Sequence, residues 1–215
     1  MRIKRIAVAN YKKFCGLEGS QYIASEFALE TILVLIEKFS LHTILELGLG
    51  IGSISDTVLQ YFDPKKTNIA YFGTENNVFC LKALQTNVIA FNKLHLYSEL
   101  NQIKNHTFDF IIIDGYDDCL NKIKNYCSKN AIIFIEGDRK LQKEIILNIF
   151  PKCKYVHVIT LNKSKPYAHG ENSIHNYVGG GQLIFTNPTA KMNLFWMQQK
   201  IKTFVKNKIR KYKSK

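Results

Sequence analysis

Short apolar runs alternate along this chain with segments in which apolar residues recur at helical spacing. The runs FIIID and AIIFI, at 110–114 and 131–135, are almost continuously apolar, which is typical of parallel strands buried on both faces. In the segment 25–39 the apolar residues follow a helical period, with Ser25 as the expected N-cap. This alternation predicts an α/β protein built on a doubly wound parallel sheet with helices on both faces.

The predicted elements follow one another closely. Strands are predicted at 43–47, 68–73, 93–97, 108–113, 131–135, 154–161 and 181–186. Helices are predicted near 25–39, 53–62, 76–91, 117–127 and 139–149. The last strand follows the sixth with a long loop and no helix between them.

The first strand leads into a glycine-rich turn, TILELGLGIGS. It ends at Glu46 and passes through Gly48, Gly50 and Gly52 before a helix begins near Ser53. Such a turn leaves main-chain N–H groups and no side chains, so a ligand's polar end can approach closely. The third glycine comes one residue early for the dinucleotide pattern G-x-G-x-x-G. The turn predicts a small-molecule cofactor site, with a tight strand-to-helix connection as the alternative.

An acid at the tip of the second strand strengthens the cofactor interpretation. Glu75 lies 23 residues beyond Gly52, close to the interval of roughly 20 at which an acid meets ribose hydroxyls. A carboxylate can accept hydrogen bonds from both hydroxyls. The alternative is a solvated loop acid.

The segment E-L-G-x-G-x-G resembles motif I of the class I S-adenosylmethionine-dependent methyltransferases. The resemblance covers about residues 25–188 and implies S-adenosyl-L-methionine as the cofactor. It implies a seven-stranded, mostly parallel sheet whose last strand is antiparallel beside the fifth. It also implies that the cofactor lies against Glu46, the three glycines, Ser53, Glu75 and Asp114.

The fourth strand ends in a second informative segment, FDFIIIDGYDD. It resembles the F-D-x-I-x-I-D-G segment of O-methyltransferase-like members and lacks the N-P-P-Y or D-P-P-Y motif of many nucleobase amino-group methylases. In the family an acid here lies near the methyl donor and the acceptor, so Asp114 is the first catalytic candidate. A structural acid that holds the loop is the alternative.

The 20-residue connection at 162–181 is long for a compact domain, and such loops are often functional. It should lie over the ligand edge of the sheet because it follows the sixth strand. His169 and His175 within it are candidate general bases. A polar loop whose histidines have no special role is the alternative.

We expect no bound metal. Some O-methyltransferases bind a divalent cation through acids after strands four and five, but here Gly137 interrupts the family's aspartate-asparagine pair. Asp138 is equally well explained as an N-cap of the following helix. The five cysteines form no C-x-x-C pair.

The basic residues are concentrated at the C-terminus of this 215-residue chain. Its net charge is +13, and nine of its 30 basic residues lie from Lys191 onward, where there is no acid. We therefore divide the chain into a domain at 1–188 and a basic amphipathic helix at 189–215. The helix is interpreted as docked on the domain, as an anionic membrane-surface element, or as a clamp on nucleic acid.

No apolar run approaches the roughly 20 residues that span a bilayer, so we expect a cytoplasmic protein, membrane-peripheral if the helix binds lipid. The expected activity is methyl transfer to an oxygen of a small molecule, sugar or lipid-linked intermediate. An RNA methyltransferase and a non-catalytic cofactor-binding module of the same fold are the alternatives. An aminopropyl transferase or a nicotinamide enzyme would use a similar sheet. The acceptor and the oligomeric state are left open.

Overall fold

The computed structural model describes residues 2–62, 67–168 and 177–213. Its strands are β1 (Thr43–Leu47), β2 (Ala70–Thr74), β3 (Leu94–Tyr97), β4 (Phe108–Ile113), β5 (Cys127–Glu136), β6 (Lys154–Ile159) and β7 (Gly180–Phe185). Its α-helices are α1 (Arg2–Cys15), α2 (Glu26–Phe39), α3 (Ser53–Phe62), α4 (Val78–Asn87), α5 (Lys140–Ile149) and α6 (Ala190–Lys213).

The seven strands form one sheet in the order β3-β2-β1-β4-β5-β7-β6. Neighbouring strands from β3 to β5 pair in parallel, and β7 pairs antiparallel with both β5 and β6. The predicted doubly wound sheet with an antiparallel last strand beside the fifth is confirmed. The strand order reverses between β1 and β4, and ligands of such sheets bind at that point, outside the carboxyl ends of the strands.

Two apolar cores lie on opposite faces of the sheet because successive strand residues point to opposite sides. One core joins the strands to α1, α2, α3, α4 and α6. The other lies against α5 and a 3-10 helix at Leu120–Tyr126. Most of the helical cover therefore lies on one face.

Three local predictions need correction. The N-terminal segment, for which no element was predicted, forms α1 and buries Ala7 and Phe14. The predicted helix near 117–127 is only a seven-residue 3-10 helix. Asp138 is not an N-cap, because α5 begins at Lys140 after Arg139, without a side-chain cap. The N-cap predicted for α2 is confirmed, since the Ser25 hydroxyl accepts the Ala28 N–H at 3.3 Å.

The helix α6 covers the edge strand β6 and supplies donors to its outward carbonyl groups. Its donors pair with alternate residues of the strand and with the residue that follows it: Trp196 Nε1 with Tyr155 O (2.7 Å), Thr203 Oγ1 with His157 O (2.9 Å), Lys206 Nζ with Ile159 O (2.7 Å) and the Arg210 guanidinium with Thr160 O. An uncovered edge strand would be a template for further pairing. The inner face of α6 is therefore docked on the domain, as one of the three interpretations expected.

Among the described helices, none combines the length and apolar character that crossing a membrane requires.

Candidate functional site

The glycine turn lies at the switch point between β1 and β4. Gly48 adopts a positive φ of 86°, and a Cβ atom there would lie 2.5 Å from the Cα of Gly115, just beyond β4. A Cβ atom on Gly50 would collide with the carbonyl oxygen of Tyr22. The glycines therefore let three chain segments meet where only main chain fits.

The expectation that this turn leaves free N–H groups is wrong for most of it. The amides of Gly48 and Leu49 donate to the Thr74 carbonyl at 3.1 and 3.0 Å, and the amide of Gly52 donates to Leu49 at 3.0 Å. The Gly50 amide donates to a carboxylate at 2.8 Å. The turn thus presents main-chain surface without a set of open donors, because its own neighbours already satisfy these groups.

Three of the expected cofactor contacts lie inside the protein. Glu46 is 0% exposed and accepts the Tyr71 hydroxyl, and burial raises the pKa of Glu46 well above its ordinary value. Ser53 is 2% exposed, and its hydroxyl accepts the Ala24 N–H at 3.1 Å. Gly52 is also buried. In this structure these residues support the turn, and their predicted contact with the cofactor stays a prediction.

Glu75 lies where the sequence predicted, at the tip of β2 beside the glycine turn. Its Oε2 atom accepts the Gly50 N–H at 2.8 Å, and its Oε1 atom accepts the N–H groups of Asn76 and Asn77 at 2.9 and 2.8 Å. A carboxylate has about four acceptor positions. About one therefore stays open on Oε2, which suits one ribose hydroxyl better than the bidentate contact we expected.

A cleft of about 310 Å³ opens at the carboxyl ends of β1 to β4. Its walls are Gly48 from β1, Glu75 from β2, Ser98 and Glu99 after β3, and Gly115 to Asp118 after β4. Ligand pockets typically begin at about this size. This lining matches the chemistry of a nucleoside: Glu75 can accept a hydroxyl group, the glycines leave a wall of main chain, and polar side chains lie beyond β3. These residues therefore fit the adenosyl part of the implied cofactor.

Asp114 adjoins this cleft, because it precedes Gly115, and it forms an ion pair. Its Oδ1 atom is 2.9 Å from the Arg139 guanidinium, which also donates to the Asp114 carbonyl. Burial and the nearby carboxylate of Glu136 raise the pKa of Asp114 to about 7, while Arg139 acts in the opposite direction. The carboxyl group therefore changes its charge near neutral pH.

Glu136, at the end of β5, anchors the start of α2. Its Oε1 atom accepts the Ser25 hydroxyl at 2.9 Å and the Ser25 N–H at 3.3 Å. Among the described residues, no group of three acidic, histidine or cysteine side chains converges on a point where a metal ion could sit. The acids after β4 and β5 are instead held by Arg139 and Ser25.

A second cleft, of about 470 Å³, opens beside the end of β5. Residues from α1, β5, β6, β7 and α6 line it, among them Tyr11, Glu136, His157, Gly180 and Arg210. Glu136 is close enough to Asp114 to raise the pKa of that carboxyl group. An open cavity therefore lies near the candidate reaction residue.

Two residues of this second cleft were missed at the sequence level. His157 lies in β6 between the buried Val156 and Val158 and is itself on the open side, where the alternation of the strand would place it. Burial lowers the pKa of His157, which favours its neutral form. Arg210 reaches the cleft from α6, a placement that only the docking of α6 reveals. His169 and His175, our candidate bases, lie outside the described residues.

Comparisons with known proteins identify the fold. No protein-family model matches this chain, and no curated protein matches it in sequence. In structure it is similar to an SAH-bound methyltransferase from Podospora anserina, with a TM-score of 0.56, 11% identity, and coverage of 83% of this chain and 86% of that chain.

Two further solved structures show the same likeness. An O-methyltransferase from Bacillus cereus in complex with SAH has a TM-score of 0.54 and 11% identity, with coverage of 85% of this chain and 90% of that one. A tRNA methyltransferase from Aquifex aeolicus has a TM-score of 0.57 and 12% identity, with coverage of 81% and 75%. The chain therefore has the class I methyltransferase fold.

Proposed function

We propose that this protein transfers the methyl group of S-adenosyl-L-methionine to an oxygen atom of a small molecule, sugar or lipid-linked intermediate. The observation that carries the proposal is the cleft of about 310 Å³ at the switch point, with Glu75 on its wall. Two of the similar structures contain SAH, the product of such a transfer. The fold alone does not define an activity, so the proposal depends on the residues of the site.

The cofactor's binding residues follow from the walls of that cleft. Glu75 would accept a ribose hydroxyl on Oε2, and Gly48 with Gly115 would allow the ligand to approach the main chain. Ser98 and Glu99 would face the base. When bound, S-adenosyl-L-methionine supplies a methyl group on a sulfonium, which is already electrophilic.

The chain's own task is then to place an acceptor oxygen and remove its proton. Asp114 is suitably placed, because it directly precedes Gly115 of the first cleft and its carboxyl group lies near Glu136, which lines the second. Its pKa of about 7 suits a base that works near neutral pH. Arg139 holds the carboxylate by its Oδ1 atom at 2.9 Å, which leaves Oδ2 for the acceptor's hydroxyl proton. The acceptor would occupy the cleft of about 470 Å³.

The second candidate function is methylation of RNA. It is favoured by the net charge of +13 and by the similarity to a tRNA methyltransferase. Against it, the described clefts lack the paired stacking aromatics that hold an unstacked base.

The test is methyl transfer from radiolabelled S-adenosyl-L-methionine to two separated fractions of a cell extract, small molecules with lipids and total RNA. We expect label in the first fraction. The labelled methyl group should be stable to base only if the product is a methyl ether. Label confined to RNA would support the second candidate. No label in either fraction, together with no binding of the cofactor, would contradict both.

A further inference from the structure

The outward face of α6 carries a stripe of large apolar side chains that remain exposed. They are Leu194, Met197, Ile201, Phe204, Val205 and Tyr212, with exposures between 48% and 84%. Among the described residues, six of the twelve large apolar side chains that are exposed lie on this one helix. Scattered exposed apolar residues need no explanation, but a continuous patch of them marks an interaction site.

The stripe is not the face by which α6 docks on the domain. With about 100° of rotation per residue, Ile201 and Val205 lie roughly 140° and 180° around the helix from Trp196, whose side chain bonds to β6. Met197 and Phe204 lie on the flank of the stripe, roughly 100° from Trp196. The helix is therefore apolar on two opposite sides. The inner side packs against the apolar core, and the outer side faces away from it.

The charge on α6 indicates the kind of partner. The helix contains eight lysines and arginines and no acid. Lys200, Lys208 and Lys211 are exposed and lie beside or within the stripe. A helix with an apolar stripe flanked by lysines is suited to lie in the plane of a membrane interface, with its alkyl stems along the lipid and its ammonium groups at the phosphates.

We propose that the outer face of α6 docks this protein on an anionic lipid surface. A second copy of the chain is disfavoured as the partner, because the lysines and arginines of two such helices would repel each other and the helix has no acid to pair with them. Nucleic acid is disfavoured because phosphate binding uses the lysines and leaves the six apolar side chains without a partner. This role is independent of the proposed methyl transfer.

The experiment is flotation of the full-length protein with vesicles of phosphatidylcholine, with and without 30 mol% phosphatidylglycerol, at about 0.1 M salt. We expect binding only to the anionic vesicles. The triple variant Met197→Gln, Ile201→Gln, Phe204→Gln should bind them at least about tenfold more weakly, because it removes buried apolar area at the interface. Its thermal midpoint should stay unchanged, since all three side chains are exposed.

The matched control makes the same kind of change elsewhere, in Val78→Gln, Ile89→Gln, Leu141→Gln, and should bind like the wild type. Equal binding by the two triple variants would overturn the proposal. The proposal would also be overturned if the wild type did not bind the anionic vesicles. A dimer that the α6 variant loses, seen by light scattering, would then identify a second copy as the partner. RNA binding that is equal with and without the stripe would then assign the lysines to nucleic acid.

Discussion

In the proposed function, cofactor recognition depends most directly on the side chain of Glu75. Glu75→Gln should weaken SAH binding by about tenfold or more, because a charge-assisted hydrogen bond to a ribose hydroxyl is lost. Isothermal titration calorimetry measures this. The control is Glu144→Gln on α5, an exposed acid remote from the cleft. Equal affinities for the two variants would show that Glu75 serves only the Gly50 turn.

Asp114 gives the proposal a pH dependence. Its pKa is raised to about 7, mainly by burial, so the carboxylate that can accept a proton forms as the pH rises through that value. Turnover of the wild type should therefore rise between about pH 6 and 8. Asp114→Asn should lower turnover by about 10²-fold or more and abolish this rise, while SAH affinity changes little.

Arg139 allows a second test of Asp114 as the general base. It favours the charged form of Asp114, so Arg139→Gln should raise the pKa of Asp114 and move the midpoint of the pH–rate profile to higher pH. A purely structural ion pair would lower stability without moving that midpoint. An unmoved midpoint in Arg139→Gln would therefore count against Asp114 as the base.

At the scale of elements, the loop between β6 and β7 holds the remaining candidate bases. Replacing His169 and His175 together by alanine should lower turnover far more than SAH affinity, since the loop begins at the ligand edge and Glu75, Ser98 and Gly115 of the proposed cofactor cleft are unchanged. Steady-state kinetics and calorimetry on the same preparation measure both quantities. Normal turnover would exclude the loop as a source of the base.

The contact of α6 with β6 predicts a stability effect. Thr203→Val is nearly isosteric and Trp196→Phe keeps a smaller aromatic ring, and together they remove two donors to edge-strand carbonyls. The free energy of unfolding should fall by about 1–3 kcal/mol, measured by urea denaturation. Gln198→Ala, exposed on the same helix, should change it by less than about 0.5 kcal/mol. Equal effects would mean that these bonds do not hold α6.

On the scale of the whole molecule, the sheet was predictable because its signals are local. The near-continuous apolar strands and the glycine turn are each recognised from a few adjacent residues, and Glu75 from its position at the end of one such strand. The structure places them as the pattern predicts. The second cleft was not predictable in this way. His157, Arg210 and Tyr11 come from three distant segments, and only tertiary packing brings them together.

The hydrogen-bond partners of the amides in the glycine turn could not be predicted from the sequence, for a physical reason. The motif shows that main chain is exposed sterically, but it does not show which amides find partners. Thr74 and Glu75 take the N–H groups of Gly48, Leu49 and Gly50, because unsatisfied main-chain donors are costly. The turn therefore contributes shape, and in the proposed function Glu75 contributes the polar contact with the cofactor.

A crystal structure of the protein soaked with SAH tests the proposed cofactor site most directly. We expect a nucleoside in the cleft formed by Glu75, Ser98 and Gly115, with a ribose hydroxyl on Glu75 Oε2 and the sulfur directed toward Asp114. An empty cleft at saturating SAH, or SAH bound only elsewhere, would contradict it.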